Sequence, residues 1–110
     1  MRIVTDIAKE GRPNLLMSEK AMDMAYEKLE RSVELKEKGF MEESIVAAYS
    51  GMFQVARALL YSEGITEKNH YCVVLYLRRE HMGDLGPELI GWLDQYRVER
   101  HNWFYGVESL

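Results

Sequence analysis

The feature that most constrains the fold is the spacing of apolar residues, which recur every three or four positions over most of the 110-residue chain. This spacing is the period of one face of an α-helix, whereas a half-buried strand alternates every second residue. Only two prolines interrupt the pattern, and glycines mark the breaks between its segments. The sequence therefore predicts an all-α protein.

Four helices follow from the positions of these breaks. They are expected at about residues 15–38, 41–63, 66–81 and 87–107. Because short turns join consecutive helices, the expected architecture is an antiparallel, up-and-down four-helix bundle. Residues 1–110 are interpreted as one domain, in which residues 1–13 form an N-terminal arm or a short helix.

The first two predicted helices differ in character. The first is an amphipathic surface helix, and its apolar row comprises Met22, Tyr26, Leu29 and Val33. The second carries apolar or small residues around most of its circumference, which is typical of a buried helix. Gly51 lies at its middle, where glycine costs about 1 kcal/mol relative to alanine, so a close helix crossing is expected there.

Single residues mark the predicted helix boundaries. Gly39 and Gly64 suit the ends of the first and second helices. Thr66 is expected to cap the third helix, and Pro87 is expected to begin the fourth. The inward stripe of the fourth helix is predicted to comprise Leu89, Leu93, Tyr96, Trp103 and Val107.

Composition excludes several classes of protein. The net charge of −4 implies no general attraction to nucleic acid or anionic lipid. Cys72 is the only cysteine and is expected in the core, so no intrachain disulfide is possible. His70 and His81 would lie ~16 Å apart on one helix, so neither a metal nor another cofactor is predicted. Without a signal peptide or a membrane span, a cytoplasmic location is expected.

A polar row on the fourth predicted helix is the main candidate functional site. Its members, three or four positions apart, are Asp94, Arg97, His101 and Tyr105. Arg97 and Arg100 can supply positive charge for a phosphate, and a neutral His101 beside them would suit a general base. The alternatives are a solvated helix face with an Asp94–Arg97 ion pair, and an Arg100 that pairs with a nearby carboxylate.

Three segments resemble the HEPN ("higher eukaryotes and prokaryotes nucleotide-binding") domain family, especially its short stand-alone prokaryotic members. They are AAYSGMFQVARALLYSEGI from Ala47, KNHYCVVLYLRRE from Lys68 and DQYRVERHNWFYG from Asp94. The first is the most specific, with its tyrosine, small residues, Met-Phe, Ala-Arg-Ala-Leu-Leu and Gly-Ile helix end. The resemblance covers about residues 41–106.

The resemblance implies a helical bundle that commonly forms homodimers and often works beside a small nucleotidyltransferase, in some cases as a toxin–antitoxin pair. Many HEPN proteins are metal-independent endoribonucleases whose last long helix carries an arginine, four to six intervening residues and a histidine. In this chain only three residues separate Arg97 from His101. This shorter spacing favours a non-catalytic module.

Three functions therefore stay open. The first is a dimeric HEPN-like module that binds a nucleotide or a nucleic-acid phosphate and assists a nucleotidyltransferase. The second is a toxin-type endoribonuclease in which His101 is the base and Arg97 or Arg100 stabilises the transition state. The third is a non-catalytic assembly scaffold.

Overall fold

The computed structural model describes residues 8–67 and 70–105, with the side chains of residues 11–66 and 71–99. In chain order the elements are β1 (Ala8–Glu10), α1 (Leu15–Glu37), α2 (Met41–Ser62), β2 (Ile65–Glu67), α3 (His70–Glu80), α4 (Met82–Leu85) and α5 (Pro87–Tyr105). The four long helices confirm the predicted all-α bundle. The single-turn helix α4 occupies the predicted turn, and no helix in the described ranges has the length and apolar character needed to cross a membrane.

Local side-chain and backbone chemistry sets the helix ends. The Asn14 side chain accepts a hydrogen bond from the Met17 amide at 3.0 Å and so caps the start of α1. Gly64 follows α2 with a φ of +78°, and a Cβ at this position would collide with the carbonyl oxygen of Gly11. Pro87 begins α5, as predicted.

Helix α2 packs against the main hydrophobic core on one face and against α1 on the other, and the two faces have different side chains. One face carries the larger residues of the main hydrophobic core. That core comprises Tyr49, Phe53, Ala56 and Leu60 of α2, Ile65 of β2, Val73, Val74, Tyr76 and Leu77 of α3, and Ile90 and Leu93 of α5. The other face is lined by small residues and packs against α1.

Small residues hold α1 close to α2. The Ser18 hydroxyl donates to the Ala58 carbonyl oxygen at 2.8 Å, and the Ser44 hydroxyl donates to the Ser32 carbonyl oxygen at 2.7 Å. At Gly51, an added Cβ would lie 2.8 Å from two side-chain carbons of Leu29. The predicted close helix crossing at Gly51 is therefore confirmed.

The apolar row predicted for α1 is not the buried face of that helix. Ala21 and Ala25 are its buried residues, whereas Tyr26 is 65% exposed and Val33 is 57% exposed. The physical reason is the short distance between α1 and α2, which leaves room for alanine and serine but not for large side chains. The large residues are displaced to the side of the contact.

A two-stranded antiparallel sheet was not predicted. Its pairs are Ala8 with Glu67, Lys9 with Thr66, and Glu10 with Ile65. Thr66 consequently lies in β2, so the prediction that it caps α3 is wrong, and α3 begins at His70 instead. The pairing satisfies backbone hydrogen-bonding groups and fastens the segment before α1 to the end of α2.

The core-facing stripe of α5 is only partly as predicted. Leu93 is buried and Tyr96 packs partly buried against the core, but Leu89 is 39% exposed and Ile90 takes the buried position. The side chain of Trp103 and the whole of Val107 lie outside the described residues. Cys72 is buried, as predicted.

The two mid-helix glycines Gly51 and Gly91 provide a matched test of the α1–α2 contact. We expect Gly51→Val to lower the free energy of unfolding by about 1–3 kcal/mol because its side chain would overlap Leu29. Gly91→Val should not, because nothing lies within 4 Å of a Cβ at Gly91. Urea denaturation of both variants measures the difference, and equal stabilities would contradict the close contact.

Candidate functional site

Asp94 and Arg97 form an ion pair on α5. Arg97 donates from Nε to Asp94 Oδ1 at 3.0 Å, and one of its Nη atoms lies 2.8 Å from the same oxygen. The side chains of Arg97 and Asp94 are 28% and 25% exposed, so the pair lies at the edge of the core rather than in open solvent. The Asp94–Arg97 ion pair, one of the alternatives that the sequence left open, is therefore present.

The side chains of Arg100, His101 and Tyr105 lie outside the described residues. The backbone of α5 is helical through Tyr105, so position 101 follows position 97 by about one turn. Of the predicted row, the structure thus brings together Asp94 and Arg97, and the roles of His101, Tyr105 and the neighbouring Arg100 stay predictions.

Two residues of α3 that sequence analysis did not select complete the site. Arg78 donates from an Nη to Asp94 Oδ2 at 3.3 Å. The guanidinium carbon of Arg97 lies 5.1 Å from the centroid of the Tyr71 ring, within the range of a cation–π contact. We call Tyr71, Arg78, Asp94 and Arg97 the α3–α5 cluster.

The sequence contained one usable signal for Tyr71 and Arg78. They lie seven positions apart on a helix, which places them on the same face. The sequence did not reveal which face of α3 meets α5, because that depends on how the two helices pack.

The charge of the α3–α5 cluster favours an anion. Two guanidinium groups share one carboxylate, so the cluster carries one excess positive charge. Each guanidinium has five N–H donors on three nitrogens. Two nitrogens of Arg97 and one nitrogen of Arg78 contact Asp94. Further donors can therefore reach a phosphate without loss of the ion pairs.

The relative direction of α3 and α5 determines which residues of the two helices lie at the same end of the pair. Arg78 contacts Asp94, and Tyr71 contacts Arg97 further along α5, so α3 and α5 run antiparallel. Tyr71 lies two turns before Arg78 on α3, and position 101 lies two turns after Asp94 on α5. Tyr71 and residue 101 therefore lie toward the same end of the α3–α5 pair.

A second polar cluster stabilises the corner between α3 and α4. Glu63 Oε1 accepts hydrogen bonds from His81 Nε2 at 2.7 Å and from the Tyr76 hydroxyl at 3.1 Å. Asp84 Oδ2 lies 3.5 Å from the other ring nitrogen of His81. This cluster ties the end of α2 to the end of α3. Among the residues that the structure describes, no group of three His, Cys, Asp or Glu side chains could hold a metal ion.

These features define a small helical-bundle domain with a basic cluster between two antiparallel helices. Residues 18–108 match the HEPN domain model, and the chain belongs to the HEPN family. The match includes most of α1, which lay outside the segments that carried the resemblance. No curated protein and no solved structure shows significant similarity to the chain.

Glu63 provides a test of the corner cluster. Glu63→Ala should lower the free energy of unfolding by about 1–2 kcal/mol, because it removes the acceptor of two hydrogen bonds, one of them from the buried His81. Asp84→Ala is the matched control, since that side chain is 82% exposed and should change stability little. Chemical denaturation measures the free energy of unfolding of both variants. Equal values would contradict the stabilising role of Glu63.

Proposed function

We propose that this HEPN domain binds a nucleotide or a nucleic-acid phosphate at the α3–α5 cluster and acts as a homodimer beside a small nucleotidyltransferase. The observation that carries the binding proposal is the pairing of Arg78 and Arg97 with a single carboxylate, next to the exposed ring of Tyr71. Family membership supports the same class of ligand, because HEPN domains are helical modules whose functions often involve nucleic acids.

Asp94 contributes by orienting the cations. A free arginine loses rotamer entropy when it binds a phosphate, and this loss weakens the net interaction. Contacts with Asp94 and Tyr71 already restrict Arg97, so less entropy remains to be lost on binding. The ion pair is therefore compatible with a ligand site.

Tyr71 favours a nucleotide over a simple phosphate. Its side chain is 49% exposed although it contacts Arg97, so much of the phenol stays open. Bases stack on exposed aromatic rings beside basic groups in many single-stranded nucleic-acid sites. We assign Tyr71 to base stacking, with the phosphate at Arg97 and Arg78.

Arg100 and the remaining members of the predicted row extend this site along α5. In the proposal, Arg100 adds a third guanidinium near the phosphate, and His101 and Tyr105 donate hydrogen bonds to the ligand. The homodimer is supported by exposed apolar residues on α5, where Trp92 is 58% and Val98 43% exposed. These residues would provide part of the surface for a second subunit.

Endoribonuclease activity is the second candidate function. It is supported by the continuous helix that places residue 101 one turn beyond Arg97, toward the end of the helix pair where Tyr71 lies. His101 would accept the proton of a ribose 2′-hydroxyl, and Arg97 or Arg100 would stabilise the charged phosphorus transition state.

Binding of adenosine 5′-monophosphate tests the proposed ligand class. Arg97→Ala should weaken binding by about tenfold or more, because a hydrogen bond to a charged group contributes about 1.5–3 kcal/mol. Arg79→Ala is the matched control, since Arg79 is also exposed on α3 and is absent from the described ion pairs. Isothermal titration calorimetry would contradict the proposal if the wild type bound neither this nucleotide nor a short RNA, or if both variants bound equally.

The same titration separates the base from the phosphate. Tyr71→Ala should weaken binding of adenosine 5′-monophosphate more than binding of ribose 5-phosphate, because only the nucleotide loses a stacked base in addition to the restraint on Arg97. An equal loss for both ligands would show that Tyr71 only orients Arg97.

RNA cleavage distinguishes the two candidate functions. If the domain is a binding module, the purified protein with a chelator should leave a structured RNA intact on a denaturing gel. Cleavage by the wild type that His101→Ala abolishes would establish the endoribonuclease instead. Cleavage that persists in His101→Ala would come from a contaminant and would support neither function.

A further inference from the structure

Helix α1 carries an exposed apolar row that the described part of the chain leaves largely uncovered. The outer row, as we call it, comprises Leu15, Met22, Tyr26, Leu29 and Val33. Leu15, Tyr26 and Val33 are 70%, 65% and 57% exposed. The row is about 27 Å long, given the rise of an α-helix. Extended apolar surfaces of this kind typically bind another molecule.

Three members of the outer row contribute little to packing within the fold, since Leu15, Tyr26 and Val33 are each more than half exposed. Helix α1 packs mainly on α2, through Ala21, Ala25 and the serine hydrogen bonds. The other two members are partly covered: Met22 is half-buried, and Leu29 approaches Gly51. The exposed part of the row is therefore available to another molecule.

The spacing of the outer row indicates what covers it. Successive members are seven, four, three and four residues apart, which is the a and d spacing of a coiled coil, with Glu19 at the a position between Leu15 and Met22. Such a pattern fits the side chains of one partner helix that lies along α1. The occupant is therefore an amphipathic α-helix.

The flanks of the outer row determine the charge of that helix. On one side lie Ser18, Ala25 and Ser32, which are next to α2. On the other side lie Asp23, Glu30 and Glu37, and none of them takes part in the ion pairs of the described residues. Of the basic residues, Lys20, Arg31 and Lys38 lie beyond this acidic flank, Lys28 lies on the side of α2, and Lys36 continues the line of the row past Val33. A docked helix would meet carboxylates along its open edge.

A second copy of α1 does not fit this surface. In an antiparallel pair, the acidic flank of one copy would face the acidic flank of the other, which is repulsive. In a parallel pair, the acidic flank would face the side that α2 already occupies. Both arrangements are disfavoured, so the occupant is not a second copy of α1.

We infer that the outer row of α1 docks an amphipathic helix of a partner protein, with aliphatic residues at its a and d positions and lysine or arginine on the edge that faces Asp23 and Glu30. This surface is separate from the α3–α5 cluster, and the inference does not rest on the proposed nucleotide binding.

Two synthetic peptides test this inference. Both are three-heptad helices with leucine at the a and d positions; one has lysine at the flanking positions and the other has glutamate. Fluorescence anisotropy should show that the full chain binds the lysine peptide at least about tenfold more tightly than the glutamate peptide. The double variant Asp23→Lys with Glu30→Lys should reverse this preference.

Two further variants show where the peptide binds. Tyr26→Ser with Val33→Ser should abolish binding, and circular dichroism should confirm that the fold is retained because both side chains are exposed. Met82→Ser with Leu89→Ser, a control at two exposed apolar residues away from α1, should bind like the wild type.

Several outcomes would overturn the inference: equal binding of both peptides, binding of neither, or full binding by the Tyr26→Ser, Val33→Ser variant. Sedimentation equilibrium tests one further outcome. If the wild type is a dimer and the Tyr26→Ser, Val33→Ser variant is a monomer, a second copy covers the outer row.

Discussion

The fold depends on how closely α1 approaches α2. Alanine, serine and glycine line this contact, and the hydroxyls of Ser18 and Ser44 bond directly to backbone carbonyl oxygens of the opposite helix. One consequence is that the large apolar residues of α1 point away from the contact. Another is that α2 keeps its opposite face, with Phe53 and Leu60, for the core shared with α3 and α5.

That core in turn positions the α3–α5 cluster. Leu77 and Leu93 are buried in it, and each is followed directly in the chain by a charged residue, Arg78 and Asp94. Burial of the two leucines fixes the backbone on both helices, so the following side chains meet at the edge of the core, 3.3 Å apart. The hydrophobic core thereby determines the geometry of a polar site, and the excess positive charge of that site follows from its two arginines.

The sequence was sufficient for the features that depend on local chemistry. Helical periodicity, Gly51 in a tight crossing and Pro87 at a helix start are visible in short stretches of residues, and each was predicted correctly. The features that were missed depend on residues far apart in the chain. Thr66 lies in a strand because β1 pairs with it, and Tyr71 and Arg78 join the site because α3 packs on α5. The apolar row of α1 shows a further limit, since periodicity identifies an apolar face but not the surface that covers it.

The central claim is that the α3–α5 cluster holds the phosphate of a nucleotide, and side-chain nuclear magnetic resonance tests it most directly. In a titration with adenosine 5′-monophosphate, the Nε–H signals of Arg78 and Arg97 should shift together and saturate at one ligand concentration, while the backbone amides of Ala21 and Ala25 in α1 stay in place. Unchanged arginine signals at saturating nucleotide, or shifts confined to α1, would contradict the claim.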